Sequence, residues 1–223
     1  MKILLTAVTL LTTLIADCQV EYAVFAGPQV TGVRYLLNDK IQESSLKLGV
    51  NAGFQMKVAF EDKLSFAPSV MYNLRGYKVK FESPSFPPDS AAVDNNTTFH
   101  TLELGFLLHY DFNLRPGHLF IRLGPSLDFI LFGNEEYNTN ANGSVDRPMK
   151  FSFADYGQYL ASAILQFGYE AKNGLFVYGH YNYGLMSMNN KDNGPHIGNR
   201  AAGISIGKYL KRKKVAVNNE DKD

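Results

Sequence analysis

A two-residue alternation runs through residues 46–60 and constrains the fold more than any other feature of the chain. The apolar positions are Leu46, Leu48, Val50, Ala52, Phe54, Met56, Val58 and Phe60. Successive side chains of a β-strand point to opposite faces, so this period predicts a strand with one apolar face. Strands of globular proteins usually run to about 3–10 residues, whereas a tilted strand needs about 9–11 residues to cross a bilayer. The length of this segment therefore suits a membrane-crossing strand.

The same alternation recurs along the chain of 223 residues and predicts eight strands in total. They cover residues 22–34, 46–60, 64–81, 101–112, 119–131, 161–170, 175–185 and 200–210. Short turns at 61–63, 113–118 and 171–174 alternate with long polar connections at 36–45, 82–97, 133–152 and 187–199. Short turns at one end and long loops at the other are typical of outer-membrane barrels. The predicted fold is therefore all-β, an eight-stranded antiparallel transmembrane β-barrel.

Alternation alone does not say which face of each strand points outward, because a soluble lipocalin-like carrier would bury its apolar face. The polar row, however, is rich in Gly, Ser, Asn and Gln, whereas a water-facing surface usually carries more Lys and Glu. Small side chains suit the lumen of an eight-stranded barrel, which has room only for side chains. We therefore expect the apolar row to face lipid and the polar row to fill the lumen, with a soluble periplasmic carrier as the alternative.

Of the charged residues in the predicted strands, we expect eight to face the lumen. They are Lys57, Arg75, Glu103, Asp111, Arg122, Asp128, Glu170 and Arg200. Burying a single charge is costly, so these residues are expected to pair with one another or to stay hydrated. We predict that they form a structural polar network, in which removing one partner is more harmful than replacing a whole pair.

Aromatic residues cluster near both ends of the predicted strands, as in the interfacial girdles of transmembrane barrels. Near the short turns they are Phe60, Tyr110, Phe112, Phe167 and Tyr169. Near the long loops they are Tyr72, Tyr77, Phe99, Phe129, Phe132, Phe151 and Phe153. Because the chain contains no Trp, Tyr and Phe would form both girdles alone.

The N-terminal residues have the pattern of an export signal. Lys2 precedes a short apolar stretch at residues 3–15, which is followed by Ala16, Asp17 and Cys18. This pattern predicts a secretory signal peptide at residues 1–18, with the barrel at 19–210 and a charged periplasmic tail at 211–223. Cys18 is the only cysteine, so no intramolecular disulfide can form. Both its removal with the signal and its acylation as a lipoprotein cysteine are left open.

Composition and motifs disfavour several other functions. A net charge of +1 gives no field that would recruit nucleic acid. The sequence has no phosphate-binding loop, HExxH motif or cysteine-based metal site, so neither a cofactor nor a metal is predicted. His100 falls on the lipid-facing row, where a barrel lipid hydrolase would hold its base, but the sequence supplies no nucleophile or orienting acid beside it. We therefore predict that the protein is not an enzyme.

Several segments together carry a resemblance to a known family. They are residues 24–29, 120–128 with Gly124 and Pro125, 174–177, 181–185 and 199–210. Across residues 22–210 the chain resembles the outer-membrane β-barrel family that includes PorT-like proteins of Bacteroidota-type Gram-negative bacteria. In layout it is similar to the eight-stranded barrels of the OmpA/OmpX type.

This resemblance implies a location in the cell outer membrane, surrounded by outer-membrane lipids. It implies an integral, non-enzymatic barrel whose surface loops make contacts or whose role is structural. The PorT-like likeness also implies an alternative, a narrow pore or an accessory component of an export machine. We expect a monomer, and an extracellular or periplasmic protein partner is left open.

Overall fold

The computed structural model describes residues 20–83, 85–141 and 143–210 of the chain. Within these ranges the regular elements are all β-strands, and no helix is long and apolar enough to cross a membrane. The predicted signal peptide, Cys18 and the predicted charged tail lie outside the described residues. The domain boundaries at 18 and 210 therefore stay predictions.

The described residues form one antiparallel sheet of ten strands. These are β1 (Val20–Leu37), β2 (Lys40–Ile41), β3 (Glu43–Ala59), β4 (Leu64–Lys80), β5 (Asp94–Asp111), β6 (His118–Asn138), β7 (Ser144–Pro148), β8 (Tyr159–Glu170), β9 (Leu175–Ser187) and β10 (His196–Tyr209). The eight long strands pair in the order β1, β3, β4, β5, β6, β8, β9, β10, and β10 pairs back onto β1. The closing pair places Ala23 opposite Tyr209 and Leu36 opposite His196. The prediction of an eight-stranded antiparallel barrel is confirmed.

The two ends of the barrel differ in their connections. At the short-turn end, residues 60–63, 112–117 and 171–174 join neighbouring strands, and β1 begins where β10 ends. Gly117 and Gly174 take φ values of 85° and 79° in two of these turns, which a side chain with a Cβ rarely adopts. At the long-loop end, the connections span residues 38–42, 81–93, 139–158 and 188–195, and they contain β2 and β7. An even number of antiparallel strands thus brings both ends of the barrel chain to the short-turn end.

The strands run further toward the long-loop end than the sequence predicted. β5 begins at Asp94, β6 ends at Asn138, and β7 lies inside the predicted third loop, where it pairs with β6. In this extension of β6 the outward residues are polar, as Asn134 and Glu136 show. Hydrophobic alternation is strong only where one face of a strand meets apolar surroundings. The alternation therefore fades at this end, although the strand pairing continues.

The two faces of the barrel wall have opposite chemistry. The outward side chains of Val50, Leu104 and Phe106 are 50%, 40% and 43% exposed, whereas the inward Asn51 and Glu103 are 3% and 0% exposed. The predicted orientation, with the apolar row outside and the polar row in the lumen, is confirmed. A continuous apolar exterior suits hydrocarbon and not water, which argues against the soluble carrier.

Two groups of buried apolar side chains fill the lumen. The cap cluster, at the long-loop end, consists of Val33, Tyr35, Leu37, Tyr77, Val79, Phe99, Ile130, Met149, Tyr156, Leu160, Met188 and Ile197. The base cluster, from the barrel centre to the short-turn end, consists of Ala23, Phe25, Ala67, Met71, Leu107, Phe120, Ile164, Phe176, Tyr178 and Tyr209. The charged residues of the lumen lie beside and between these two apolar clusters.

Tyr77 and Phe99 do not join the predicted outer girdle at the long loops. Their side chains are 0% and 1% exposed and belong to the cap cluster. Tyr77 shares the inward row of β4 with Arg75, and Phe99 shares the inward row of β5 with Glu103. Position along the strand was the basis of the girdle prediction, but row parity decides whether an aromatic ring meets lipid or lumen.

Candidate functional site in the barrel lumen

The central cluster is built around one arginine and two carboxylates from three adjacent strands. Arg75 of β4 donates through Nη1 to Asp128 Oδ1 of β6 at 2.9 Å, and through Nη2 to Glu103 Oε2 of β5. The three residues are 3%, 2% and 0% exposed. Burial of an ion pair is tolerated only when further hydrogen bonds satisfy the remaining polar atoms. The surroundings of the two carboxylates supply such bonds.

Neutral donors complete the central cluster. Asn73 donates to Glu103 Oε2 at 2.8 Å, and Asn182 of β9 donates to Glu103 Oε1 at 3.0 Å. Ser162 of β8 donates to Asp128 Oδ2 at 3.1 Å. Hydrogen bonds to a charged acceptor are about twice as strong as neutral ones. The cluster therefore links five strands across the lumen through side chains alone.

A second group, the lower cluster, lies at the short-turn end and is centred on Asp111 at the end of β5. Lys57 Nζ lies 2.7 Å from Asp111 Oδ2. His109 Nε2 and His118 Nε2 lie 2.7 Å and 2.8 Å from Asp111 Oδ1. Glu170 Oε2 lies 3.8 Å from His118 Nε2. All five residues are less than 9% exposed, so this is a buried network near the barrel mouth.

Arg122 connects the lower cluster to the base cluster through neutral partners. Its Nε donates to His109 Nδ1 at 2.8 Å, and its Nη1 donates to Gln166 Oε1 at 3.2 Å. Its guanidinium carbon lies 4.2 Å from the centre of the Phe120 ring and 5.2 Å from that of Phe176. Cation–π contacts gain strength where water is excluded. Within the described part of the chain no carboxylate lies at salt-bridge distance from Arg122. The faces of the surrounding aromatic rings therefore stabilise its guanidinium charge.

The Arg122 contact also determines the tautomer of His109. A guanidinium can only donate, so His109 Nδ1 is the acceptor and the ring proton is on Nε2. That proton is directed at Asp111 Oδ1. His109 therefore serves as a neutral bridge between Arg122 and Asp111.

The structure places seven of the eight predicted lumen residues inside the barrel and Arg200 outside it. Arg200 lies on the row of β10 that carries Ile204 and Ile206, which are 63% and 55% exposed. Its guanidinium lies over the outward ring of Tyr183, 5.4 Å from the ring centre. The prediction for Arg200 was wrong because it followed the charge of the residue and not the parity of its strand. On the outer wall the guanidinium of Arg200 therefore contacts an aromatic ring, that of Tyr183.

Several partners of the charged residues were not predicted as members of the network. Asn73, Ser162, Gln166 and Asn182 all lie on inward rows, a placement that parity could have given. His118 was expected in a turn but is the first residue of β6, directly before the outward Leu119. Which side chains meet across the lumen depends on strand register, and the period of a single strand does not contain that information.

Hydrogen bonds also brace the long-loop end. The Tyr35 hydroxyl donates to the Pro87 carbonyl at 3.0 Å and therefore accepts from Ser85 Oγ at 2.5 Å. Arg147 of β7 donates to Glu135 Oε1 at 2.8 Å and to the Pro88 carbonyl at 2.6 Å. Burial lowers the Arg147 pKa, but the hydrogen bond to Glu135 and the charges of Glu135 and Asp155 together outweigh burial and raise the pKa. These bonds tie the connection at 81–93 to β1 and to the β6–β7 hairpin.

The lumen beside the central cluster has little free space. The cavity beside the central cluster, lined by Asn51, Met71, Gln166, Tyr178 and His180 among others, has a volume of about 10 Å³. A single water molecule needs roughly 10–15 Å³ when volume is measured in this way. This cavity therefore holds one water at most, and the cap cluster lies between it and the long-loop end.

Sequence and structure comparisons place this architecture among known proteins. Residues 16–190 match the family profile described as outer membrane protein beta-barrel domain. No curated protein matches the chain. The solved structures that resemble it include Neisserial surface protein A, with 11% identity over 84% of this chain and 96% of that one and a TM-score of 0.43.

Two further structures have a similar extent of match. OprG from Pseudomonas aeruginosa has 10% identity over 86% of this chain and 96% of that one, with a TM-score of 0.45. Ail, the attachment invasion locus protein of Yersinia pestis, in complex with the heparin analogue sucrose octasulfate, has 14% identity over 85% and 99%, with a TM-score of 0.38. The family profile covers most of the chain, and the closed barrel with its apolar exterior agrees with it. The chain therefore belongs to the outer membrane protein beta-barrel domain family and is an integral protein of the outer membrane.

Proposed function

We propose that this protein is a non-conducting, non-enzymatic barrel that holds a rigid contact surface at the outer face of the membrane. The observation that carries the proposal is the filled lumen. Along the barrel axis the cap cluster is followed by the central cluster and then by the base cluster, which reaches the short-turn end beside the lower cluster. A barrel packed in this way serves as an anchor for its loops and not as a passage for solutes.

The length of the strands supports a role in contact. A tilted strand crosses the bilayer in about 9–11 residues, but β6 has 21 residues and β5 has 18. The additional residues extend the barrel wall at the long-loop end, and the cap cluster fills it there. Because Tyr35 and Arg147 tie the loops to this wall, the surface is held in one arrangement before any partner binds. A preorganised surface loses less conformational entropy on binding.

The environment of His100 supports the non-enzymatic part of the proposal. His100 hydrogen-bonds Tyr72 on the neighbouring strand, and its ring stacks on Phe132 with 4.3 Å between ring centres. All three side chains lie on the outward row, where aromatic residues anchor a barrel at the membrane interface. His100 is therefore a structural residue of the outer aromatic girdle. Membranes from cells with and without the protein are expected to contain identical lipopolysaccharide.

The closed sheet supports a monomeric barrel. All eight long strands have hydrogen-bonded neighbours on both sides, so none offers an open edge to a second chain. The apolar exterior contacts outer-membrane lipids. The wall between lipid and loops carries a polar belt that includes Lys78, Lys80, Asp94 and Glu136 around a groove of about 310 Å³.

Planar-bilayer recording tests the proposal against the narrow-pore alternative. The refolded full-length protein is expected to give no steady openings, whereas a general porin inserted in the same bilayers gives them. A variant with Tyr77→Ala and Phe99→Ala thins the cap cluster and shows whether that cluster alone keeps the barrel closed. Steady openings of the unmodified protein that vanish on Glu103→Gln would contradict the proposal and favour a pore.

A further inference from the structure

Three side chains of metal-binding type converge at the short-turn end of the barrel. Asp111 ends β5, His118 begins β6 and Glu170 ends β8, and strand register places His118 directly opposite Glu170. One ligand atom from each residue lies within 4.8 Å of the other two. His118 Nε2 is 2.8 Å from Asp111 Oδ1 and 3.8 Å from Glu170 Oε2. Asp111, His118 and Glu170 are 6%, 7% and 1% exposed, so the group is buried just inside the barrel mouth.

The orientation of His118 is that of a metal ligand. Its Nδ1 lies 3.1 Å from the backbone carbonyl of Arg115. A carbonyl can only accept, so Nδ1 carries a proton and Nε2 is directed at the two carboxylates. Two acceptor atoms at 2.8 Å repel each other unless a cation lies between them, either a proton or a metal ion. Metal-binding histidines typically donate their second N–H to a carbonyl or carboxylate in this way.

The hydrogen bonds around Asp111 hold the carboxylate in place for such a role. His109 donates its Nε2 proton to Oδ1, and Lys57 donates to Oδ2. His109 is itself held by Arg122, so it cannot turn toward the ion as a further ligand. Outer partners of this kind orient metal-binding carboxylates in characterised sites. The oxygen that accepts from His109, Oδ1, is also the one directed at His118.

We propose that Asp111, His118 and Glu170 bind a divalent transition-metal ion, with Zn²⁺ as the best fit. Zn²⁺ binds imidazole nitrogen and carboxylate oxygen at about 2.0–2.2 Å. In a tetrahedron of that size the ligand atoms are about 3.4 Å apart, and the observed separations of 2.8 Å and 3.8 Å lie on either side of this value. A fourth position is left for water. Mg²⁺ prefers oxygen ligands in an octahedral arrangement, so this set of donors discriminates against it.

Zinc in this position links the ends of β5, β6 and β8. These ends are joined to the turns at 112–117 and 171–174, where the barrel mouth opens.

Calorimetric titration with ZnCl₂ tests the proposal on the full chain folded in detergent micelles and freed of metal with a chelator. One Zn²⁺ per chain is expected to bind, and MgCl₂ is expected to give no heat of binding. Loss of an outer partner of a metal ligand weakens metal binding by about 10–100-fold. Loss of a ligand itself, in His118→Asn, is therefore expected to weaken zinc binding by about a hundredfold or more. His100→Asn is the matched control, because His100 faces outward and its loss should leave the titration unchanged.

Co²⁺ gives a second measurement that does not depend on heats of binding. The intense visible absorption of tetrahedral Co²⁺ is expected with the unmodified protein and is expected to be lost with Glu170→Gln. The heat-modifiable gel mobility of each variant shows that the barrel has folded. Absence of zinc binding would overturn the proposal and leave a proton between His118 and Asp111. Zinc binding of equal strength in the folded His118→Asn variant would also overturn it.

Discussion

Replacement of Arg75 by Met tests how much stability the central cluster contributes. The substitution keeps a long side chain but removes the cation that lies between Glu103 and Asp128, both of which are at most 2% exposed. Removing one partner of a buried ion pair costs about 3–5 kcal/mol. Because neutral donors still reach both carboxylates, we expect the lower part of that range, about 3–4 kcal/mol. At about 1.4 kcal/mol per tenfold, the folding equilibrium shifts several hundredfold.

Urea unfolding of the protein in lipid vesicles measures this loss. The chain contains no Trp, so far-ultraviolet circular dichroism and heat-modifiable gel mobility report the folded fraction. A triple variant, Arg75→Met with Glu103→Gln and Asp128→Asn, removes all three charges and is expected to lose less than about 2 kcal/mol. Arg34→Met, at an exposed position, is the control and is expected to stay within about 0.5 kcal/mol of the unmodified protein. A triple variant that is less stable than Arg75→Met would refute the reasoning.

Three further predictions concern the outer wall, the loops and the lumen. Leu104→Arg, in the middle of β5 on the lipid face, is expected to lower the free energy of unfolding by about 2–4 kcal/mol. Leu46→Arg, near the polar belt, is expected to lower it by about 1 kcal/mol or less. Equal costs in urea unfolding would contradict the placement of the membrane. Arg147→Ala removes the hydrogen bond to the Pro88 carbonyl. It is expected to speed proteolytic cleavage within residues 85–93 without moving the urea midpoint of the barrel. An unchanged cleavage rate would show that Arg147 does not restrain this loop. Gly203→Val is expected to cost about 1–3 kcal/mol or more, because a Cβ there would lie 2.5 Å from the Pro28 carbonyl oxygen, 2.7 Å from the His180 ring and 2.8 Å from Gln29 Cβ. Unchanged urea stability would show that β10 is not tightly packed against β1 and His180 there.

The strands and the two faces of the barrel could be predicted because each depends on a single strand. Residues 46–60 alternate so regularly that the strand, its apolar face and its suitability for a bilayer all follow from side-chain direction. The prediction was wrong for Arg200, which was placed in the lumen because of its charge. It was also wrong for Tyr77 and Phe99, which were placed in the outer girdle because of their position along the strand. In all three cases the row of the strand already contained the answer.

The contacts across the lumen could not be predicted, because they depend on how strands align with one another. Parity places both Arg75 and Glu103 inward, but only the register of β4 and β5 brings the guanidinium to the carboxylate. Asp111 and His118 flank one predicted turn and so could be expected near each other, but only the register of β6 and β8 brings Glu170 to them. The extensions of β5 and β6 were missed for another reason, since their outward residues lie beyond the apolar band and carry no hydrophobic signal.

Oxygen accessibility along β5 tests the central claim most directly, namely that one row of each strand lies in hydrocarbon and the other in a packed lumen. Spin labels are attached to cysteines introduced singly at positions 104–108, in a Cys18→Ser background, with folding checked by heat-modifiable gel mobility. Oxygen concentrates in the hydrocarbon of a bilayer, so high accessibility is predicted at 104, 106 and 108 and low accessibility at 105 and 107. Accessibility that is uniform, or that is high at 105 and 107 and low at 104 and 106, would contradict the account.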